Sequence, residues 1–133
     1  MEDLNEHTEE ELCLISIGEA LKVVRGKWSF LVLALLDMGP QRFNQMRRNL
    51  DNISIKSLTD VLRHLEEYNV INRQVFPSVP VTVEYSLTDK GRDYIPVLRQ
   101  MRLWGKKWGE YPENVDGSNY STNRVVFEKK TKL

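Results

Sequence analysis

A single cysteine, Cys13, in 133 residues rules out an internal disulfide framework and a cysteine-rich metal site. The two histidines, His7 and His64, stand far apart in the chain, and each reads as an ordinary surface residue. Neither a glycine-rich phosphate loop nor a metal-spaced cluster is present, and the lone thiol has no evident base beside it. The chain is therefore read as a non-enzyme with no catalytic residues, no metal and no cofactor. No apolar run approaches the roughly 18 residues of a membrane span, and the N-terminus carries acids where a signal peptide needs basic residues. These absences point to a cytoplasmic protein outside the membrane. Net charge is missing too, with 19 Lys and Arg against 19 Asp and Glu, which argues against simple polyanion binding.

The balance hides an uneven distribution. Residues 1–13 hold six acids and no Lys or Arg, whereas residues 14–108 hold 15 Lys and Arg against 9 Asp and Glu. An acidic leader followed by a moderately basic body fits a domain that touches phosphates. The length and the 41% hydrophobic content suit one small domain, or a core completed by a partner chain. Three segments are expected: a flexible acidic leader over 1–11, a folded domain over 12–111, and a tail over 112–133.

Within that domain Leu14, Ile17, Leu21 and Val24 recur at helical spacing and predict a first amphipathic helix from about Leu12, ending at Gly26. Lys27 to Met38 is apolar nearly all round, as a central core helix must be, and stops at Gly39-Pro40. A short helix from Phe43 to Leu50 follows, with Asn44 as its N-cap; it buries Phe43, Met46 and Leu50 and leaves Arg47 and Arg48 outside. After a tight connection at Asp51-Asn52, Leu58, Val61, Leu62 and Leu65 recur at i, i+3, i+4 and i+7, marking a helix capped by Ser54. Lys56, Thr59, Asp60 and Arg63 fall on its opposite side, as on a helix that reads base edges; a solvated surface helix has the same pattern. Two short helices in this order make a helix-turn-helix.

Beyond Asn69 the period changes to two. Ile71 to Phe76 and Thr82 to Leu87 alternate on either side of Pro77-Ser78-Val79-Pro80, which reads as a two-stranded hairpin beside the reading helix: a wing. Thr88 caps a last helix, bent at Pro96, whose large apolar residues exceed what so small a core can absorb. The fold class is thus mainly α with a small β-hairpin, a winged helix-turn-helix. It is expected to pair as a homodimer through its N- and C-terminal helices, over Leu14, Ile17, Leu21, Leu98, Met101, Trp104 and Trp108.

Several of these stretches resemble the HxlR-type winged-helix transcriptional regulators of bacteria, in the MarR-like superfamily. The carriers are Gly26-Lys27-Trp28, Gly39-Pro40 with Arg42-Phe43, Ile53-Ser54, Leu58-Thr59 with Leu62-Arg63-Leu65-Glu66, and the run Val83-Glu84-Tyr85-Ser86-Leu87-Thr88-Asp89-Lys90-Gly91. The resemblance covers about Cys13 to Trp108 and implies a homodimeric DNA-binding regulator that answers to a small reactive molecule or an oxidant. Three departures stand out: Leu14 after Cys13 where proline is usual, Thr82 where the wing commonly has a cation, and the uncovered tail.

The partners expected are therefore double-stranded DNA, bound at an inverted repeat, a second copy of the chain, and a small-molecule effector. Base contacts are assigned to Lys56, Thr59, Asp60 and Arg63, and backbone contacts to Arg42, Arg47, Arg48, Ser54 and Arg73. The competing reading is a winged helix used for protein contact, which would show an apolar patch where these cations stand. Trp28, Trp104, Trp108 and Tyr111 could wall an effector pocket, although packing in core and interface explains them as well. Cys13 is the candidate redox sensor. Glu9, Glu10 and Glu11 just before it oppose a thiolate, which favours a buried, quiet thiol instead.

Overall fold

The computed structural model describes residues 7–51 and 53–110. Most of the leader, Asn52, Tyr111 and the tail lie outside these described residues. Eight elements follow in order: α1 (Glu9–Val23), α2 (Lys27–Leu36), β1 (Gln41–Arg42), α3 (Phe43–Asn49), α4 (Ile55–Glu67), β2 (Ile71–Phe76), β3 (Thr82–Leu87) and α5 (Asp89–Trp108). This is a winged helix-turn-helix.

The core forms around α2, where Leu31 through Leu36 are all buried. Each leucine or valine among them contributes about 1.5–3 kcal/mol when fully buried, so a helix apolar on every side is stable only in this central place. Against it pack Leu58, Leu62 and Leu65 of α4, Met46 of α3, Leu50 and Ile53 between them, and Ile95 and Leu98 of α5. The stripe read on α4 is the buried side, with Val61 half-buried at its edge.

Local chemistry moves several boundaries from those expected. Helix α1 begins at Glu9 rather than near Leu12, because the Thr8 hydroxyl accepts from the Glu11 amide at 3.1 Å while the Glu11 carboxylate accepts from the Thr8 amide at 2.9 Å. That reciprocal cap, with three acids against the positive end of the helix dipole, makes the last leader residues helical. At its other end α1 stops at Val23. Gly26, at φ 81°, is the N-cap residue of α2 and not a C-cap of α1. Helix α3 starts at Phe43, one residue ahead of the cap expected at Asn44, and the Gln45 side chain accepts from the Arg42 amide at 2.8 Å.

The wing has a third strand. β1 pairs antiparallel with β3, setting Gln41 opposite Tyr85 and Arg42 opposite Glu84, and the sheet order is β1-β3-β2. Two residues carry no readable alternation, so β1 exists only through its partner. The hairpin itself runs in the register Ile71 opposite Leu87 to Phe76 opposite Thr82. Asn69 sets its entry: at φ 58° it lets Val70 donate to the Leu65 carbonyl (3.1 Å) and its own amide donate to that of Glu66 (3.0 Å), closing α4 by a Schellman turn. Thr88 then locks α5 to this corner, accepting from the Gly91 amide (3.0 Å) and donating to the Asn69 carbonyl (2.6 Å).

Helix α5 divides into two faces. Gly91, Ile95 and Leu98 are buried in the protomer, while Val97, Met101, Trp104 and Trp108, at spacings of four, three and four, are exposed. Leu98 was expected in the dimer seam; at 2% exposure it is sealed inside its own protomer and unavailable to a partner. Leu14, Ile17 and Leu21 of α1 are exposed in the same manner, and Val23 is the one buried residue of that helix.

Candidate nucleic-acid interface

Helix α4 is rooted by its apolar side and held at both ends, so its outer side has a fixed orientation. At the start, the Ser54 hydroxyl accepts from the Ser57 amide at 3.0 Å and gives its own proton to the Ser57 hydroxyl at 2.9 Å. Ser54 is thus committed as a cap, and the first-turn amides carry the partial positive charge that suits an anion. Lys56, Asp60 and Arg63 are exposed on the outer side. Thr59 is half-buried and donates its hydroxyl proton to the Ile55 carbonyl at 2.7 Å, leaving a methyl group and acceptor lone pairs for the outside. Ile55, at 58%, is the only exposed large apolar side chain on this helix.

Around α4 stand the other cations. Arg47 and Arg48 project from the last turn of α3, Arg42 precedes that helix from β1, and Arg73 lies on β2 opposite Tyr85. All four are exposed, as are Lys56 and Arg63, and none of the six forms an ion pair with a described carboxylate. Three carboxylates elsewhere meet other cations: Asp37 meets Arg99 at 3.4 Å, Asp89 meets Arg92, and Glu19 meets Lys22 at 2.7 Å. Lys22 holds Glu19 below the usual carboxylate range. Asp60 and Arg63 make no ion pair with each other, so Asp60 does not orient Arg63 in this state. Six unpaired cations are what phosphate contacts need, because a guanidinium already paired would have to give up its partner first.

His64 was expected at the surface and is instead buried, at 7% exposure, with its ring 4.8 Å from that of Tyr68. Its Nε2 lies 2.9 Å from the Lys22 carbonyl and 3.2 Å from that of Val23. Carbonyls only accept, so Nε2 carries the proton and donates to the C-terminal turn of α1. Val61, His64 and Tyr68 follow one another at spacings of three and four, and this second stripe beside the leucines was the available signal. Tyr94 of α5 makes a similar bond, its hydroxyl donating to the Ala20 carbonyl at 2.6 Å. Burial pushes the phenol above its ordinary value, so it keeps this proton at neutral pH.

Cys13 is exposed on α1, which corrects the expectation of a buried thiol. Trp28 packs partly against the core with the Lys27 ammonium 4.6 Å above its ring, while Trp104 and Trp108 stand on the outer face of α5. Among the described residues no group of three metal-ligating side chains occurs, and no helix is long and apolar enough to cross a membrane.

Comparison with known proteins places this geometry. A family model described as HxlR-like helix-turn-helix matches residues 23–113. An uncharacterized HTH-type transcriptional regulator of Methanothermobacter thermautotrophicus is 42% identical over 106 residues, spanning 80% of this chain and 79% of that one. Among solved structures, the redox regulator HypR in its oxidized form is similar at a TM-score of 0.64 and 36% identity, over 72% of this chain and 99% of its own. Diamide-treated YodB from Bacillus subtilis is similar at 0.60 and 29%, over 80% of this chain and 100% of its own.

Proposed function

Because this chain belongs to the HxlR-like helix-turn-helix family, we propose that it is a transcriptional regulator that binds an inverted-repeat DNA operator as a homodimer. Six exposed cations around α4, none paired with a carboxylate among the described residues, carry the reading. Helix α4 enters the major groove, where Lys56, Arg63, Asp60 and the free side of Thr59 meet base edges. Arg42, Arg47, Arg48 and Arg73, with the helix start at Ser54, hold the phosphates on either side. The same folded shape could serve a protein partner, but that use calls for an apolar contact surface, and α4 offers only Ile55.

Alanine variants separate the two kinds of contact. Arg47→Ala is expected to weaken all sequences alike and to lower the slope of log affinity against log salt by about 1. Arg63→Ala is expected to cost about 1–3 kcal/mol on the preferred operator and to relax selection at one base pair. Gel shifts over a salt series read both, and an Arg63→Ala protein with unchanged affinity and base preference would refute the assignment of α4.

A second reading concerns regulation. We infer that DNA binding answers to oxidants through Cys13, which is exposed and carried on a helix whose outer face awaits a partner; HypR and YodB, known in oxidized and diamide-treated forms, are similar in structure. With one cysteine per chain no disulfide can form within a protomer, which leaves a mixed disulfide with a small thiol, direct alkylation or a bridge between two protomers; in the bridge both thiols lose their protons, the S–S bond forms, and two electrons pass to the oxidant. Diamide is expected to change the gel shift of the wild type and to cross-link it on non-reducing gels. Cys13→Ser should do neither, and equal responses of the two proteins would end the idea.

A further inference from the structure

Helix α1 has fifteen residues and buries one of them, Val23. Its large apolar residues from Leu12 to Leu21 are exposed, so the angle at which α1 leaves the winged body is set mainly at its C-terminal end. Three side-chain bonds meet there. His64 of α4 donates to the carbonyls of Lys22 and Val23, and Tyr94 of α5 donates to that of Ala20. These carbonyls belong to the last turn of a helix, where intrahelical donors run out and an outside donor is worth most. His64 is also the immediate neighbour of Arg63, and of the two side chains one is buried and the other exposed.

From this geometry we infer that His64 is a positioning residue: with Tyr94 it fixes α1 against α4, and so sets the separation of the two reading helices in the dimer and the half-site spacing that the protein accepts. The inference rests on the DNA-binding reading for its consequence in spacing but not for the fixing of α1. In a two-fold dimer paired through α1 and the outer face of α5, a swing of α1 about its C-terminal end changes how the two protomers seat on each other and displaces both α4 helices symmetrically. A single loose joint therefore acts twice on the span between the major grooves. Base recognition, by contrast, depends on side chains at the outer face of α4 and is untouched by such a swing. Spacing and base preference are separable readouts, and only a joint moves the first without the second.

The sequence of this chain supplies the donor at a position where most side chains could not. Glutamine retains an N–H that can reach the same carbonyls, leucine keeps the bulk and removes the donor, and Tyr94→Phe removes the other bond while leaving the buried ring in place. In a Cys13→Ser background, spin labels at Glu10→Cys and Arg63→Cys report the α1–α4 distance within one chain when labelled protein is diluted with unlabelled protein. The distance distribution is expected to be narrow with His64, to broaden in His64→Leu and in Tyr94→Phe, and to narrow again in His64→Gln. In the absence of labels, His64→Leu and Tyr94→Phe are expected to lose about fivefold to tenfold of the preference for the best half-site spacing over spacings one base pair longer or shorter, the scale of a single buried hydrogen bond. The preferred half-site sequence should stay the same.

Distributions equally narrow in all four proteins would overturn the inference, whether or not DNA is bound. So would a uniform loss of affinity at every spacing, which marks a merely structural role. A wild type that binds no DNA would refute the functional reading and, with it, the spacing consequence, while the distance measurement would still decide whether His64 and Tyr94 fix α1.

Discussion

Replacing Trp104 and Trp108 together by glutamate is expected to turn the dimer into a folded monomer and to lower operator affinity at least about a hundredfold, the usual advantage of two linked half-sites over one. Both side chains are about two-thirds exposed in the protomer, at 68% and 64%, so their loss removes little from its core. Of the fifteen exposed large hydrophobics among the described residues, ten lie on α1 and α5. That concentration exceeds what a monomer ordinarily shows to water and supports α1 and α5 as the surface of the proposed dimer. Each tryptophan still has about 100 Å² or more to bury, worth roughly 2–3 kcal/mol, and a two-fold interface counts each residue twice. Four copies lost amount to about 10 kcal/mol of transfer free energy, of which association costs leave only a part as dimer stability. Light scattering gives the mass, and a gel shift on the same sample gives the affinity. A double variant that stayed dimeric and bound DNA as before would show that α5 is not the pairing surface.

Gly91→Ala is expected to destabilise the fold by at least about 1–3 kcal/mol, against the sign that helix propensity alone would give. In the first turn of α5, alanine in place of glycine is favoured by up to about 1 kcal/mol on propensity. Packing decides otherwise. A Cβ built on Gly91 would lie 2.0 Å from the Val70 carbonyl oxygen and 3.2 Å from Leu87 Cδ2. The carbonyl cannot simply move away, because it accepts from the Thr88 amide at 3.1 Å at the corner where α4, the hairpin and α5 meet. Either α5 lifts off the sheet or that bond breaks. For a domain of this size the loss lowers the melting temperature by about 10 °C. Gly105→Ala, in the same helix with nothing within 4 Å of its Cβ, is the control and should melt no lower than the wild type. Equal melting temperatures for Gly91→Ala and the wild type would show that the corner is looser than its geometry implies.

What could be read from the sequence was what neighbouring residues determine. The leucine stripe of α4 and its Ser54 cap are local patterns, and both are present where the spacing placed them. The same holds for the central α2, whose apolar run has only one place to go, and for the hairpin between Ile71 and Leu87. The capping box Thr8-Glu9-Glu10-Glu11 was equally local, but its acids read as a solvated leader because no apolar residue marked a buried face. Features made by distant partners were not legible. Strand β1 is two residues that become a strand on meeting β3, and His64 is buried because the end of α1, more than forty residues earlier, supplies its acceptors. Leu98 failed for a different reason. Spacings of three and four place residues on a helix without saying which of two apolar faces they join, and on α5 one face serves the protomer while the other is left outward.

The placement of the cations was also visible only in part. The basic excess of the body was countable, yet whether Arg42, Arg47, Arg48, Lys56, Arg63 and Arg73 would be tied up in ion pairs depended on the fold. Among the described residues none of them is, which supports the proposed phosphate-binding surface where a charge count alone could not.

The most direct test of that surface and of α4 as the reading element is selection of bound sites from random double-stranded DNA, with wild-type protein and Arg63→Ala side by side. The wild type is expected to select an inverted repeat, with half-site centres about 10 base pairs apart or a multiple of that. In the variant the same repeat should return with one symmetric pair of positions relaxed. Recovery of no common sequence by the wild type, or of an identical and equally sharp repeat by Arg63→Ala, would contradict it.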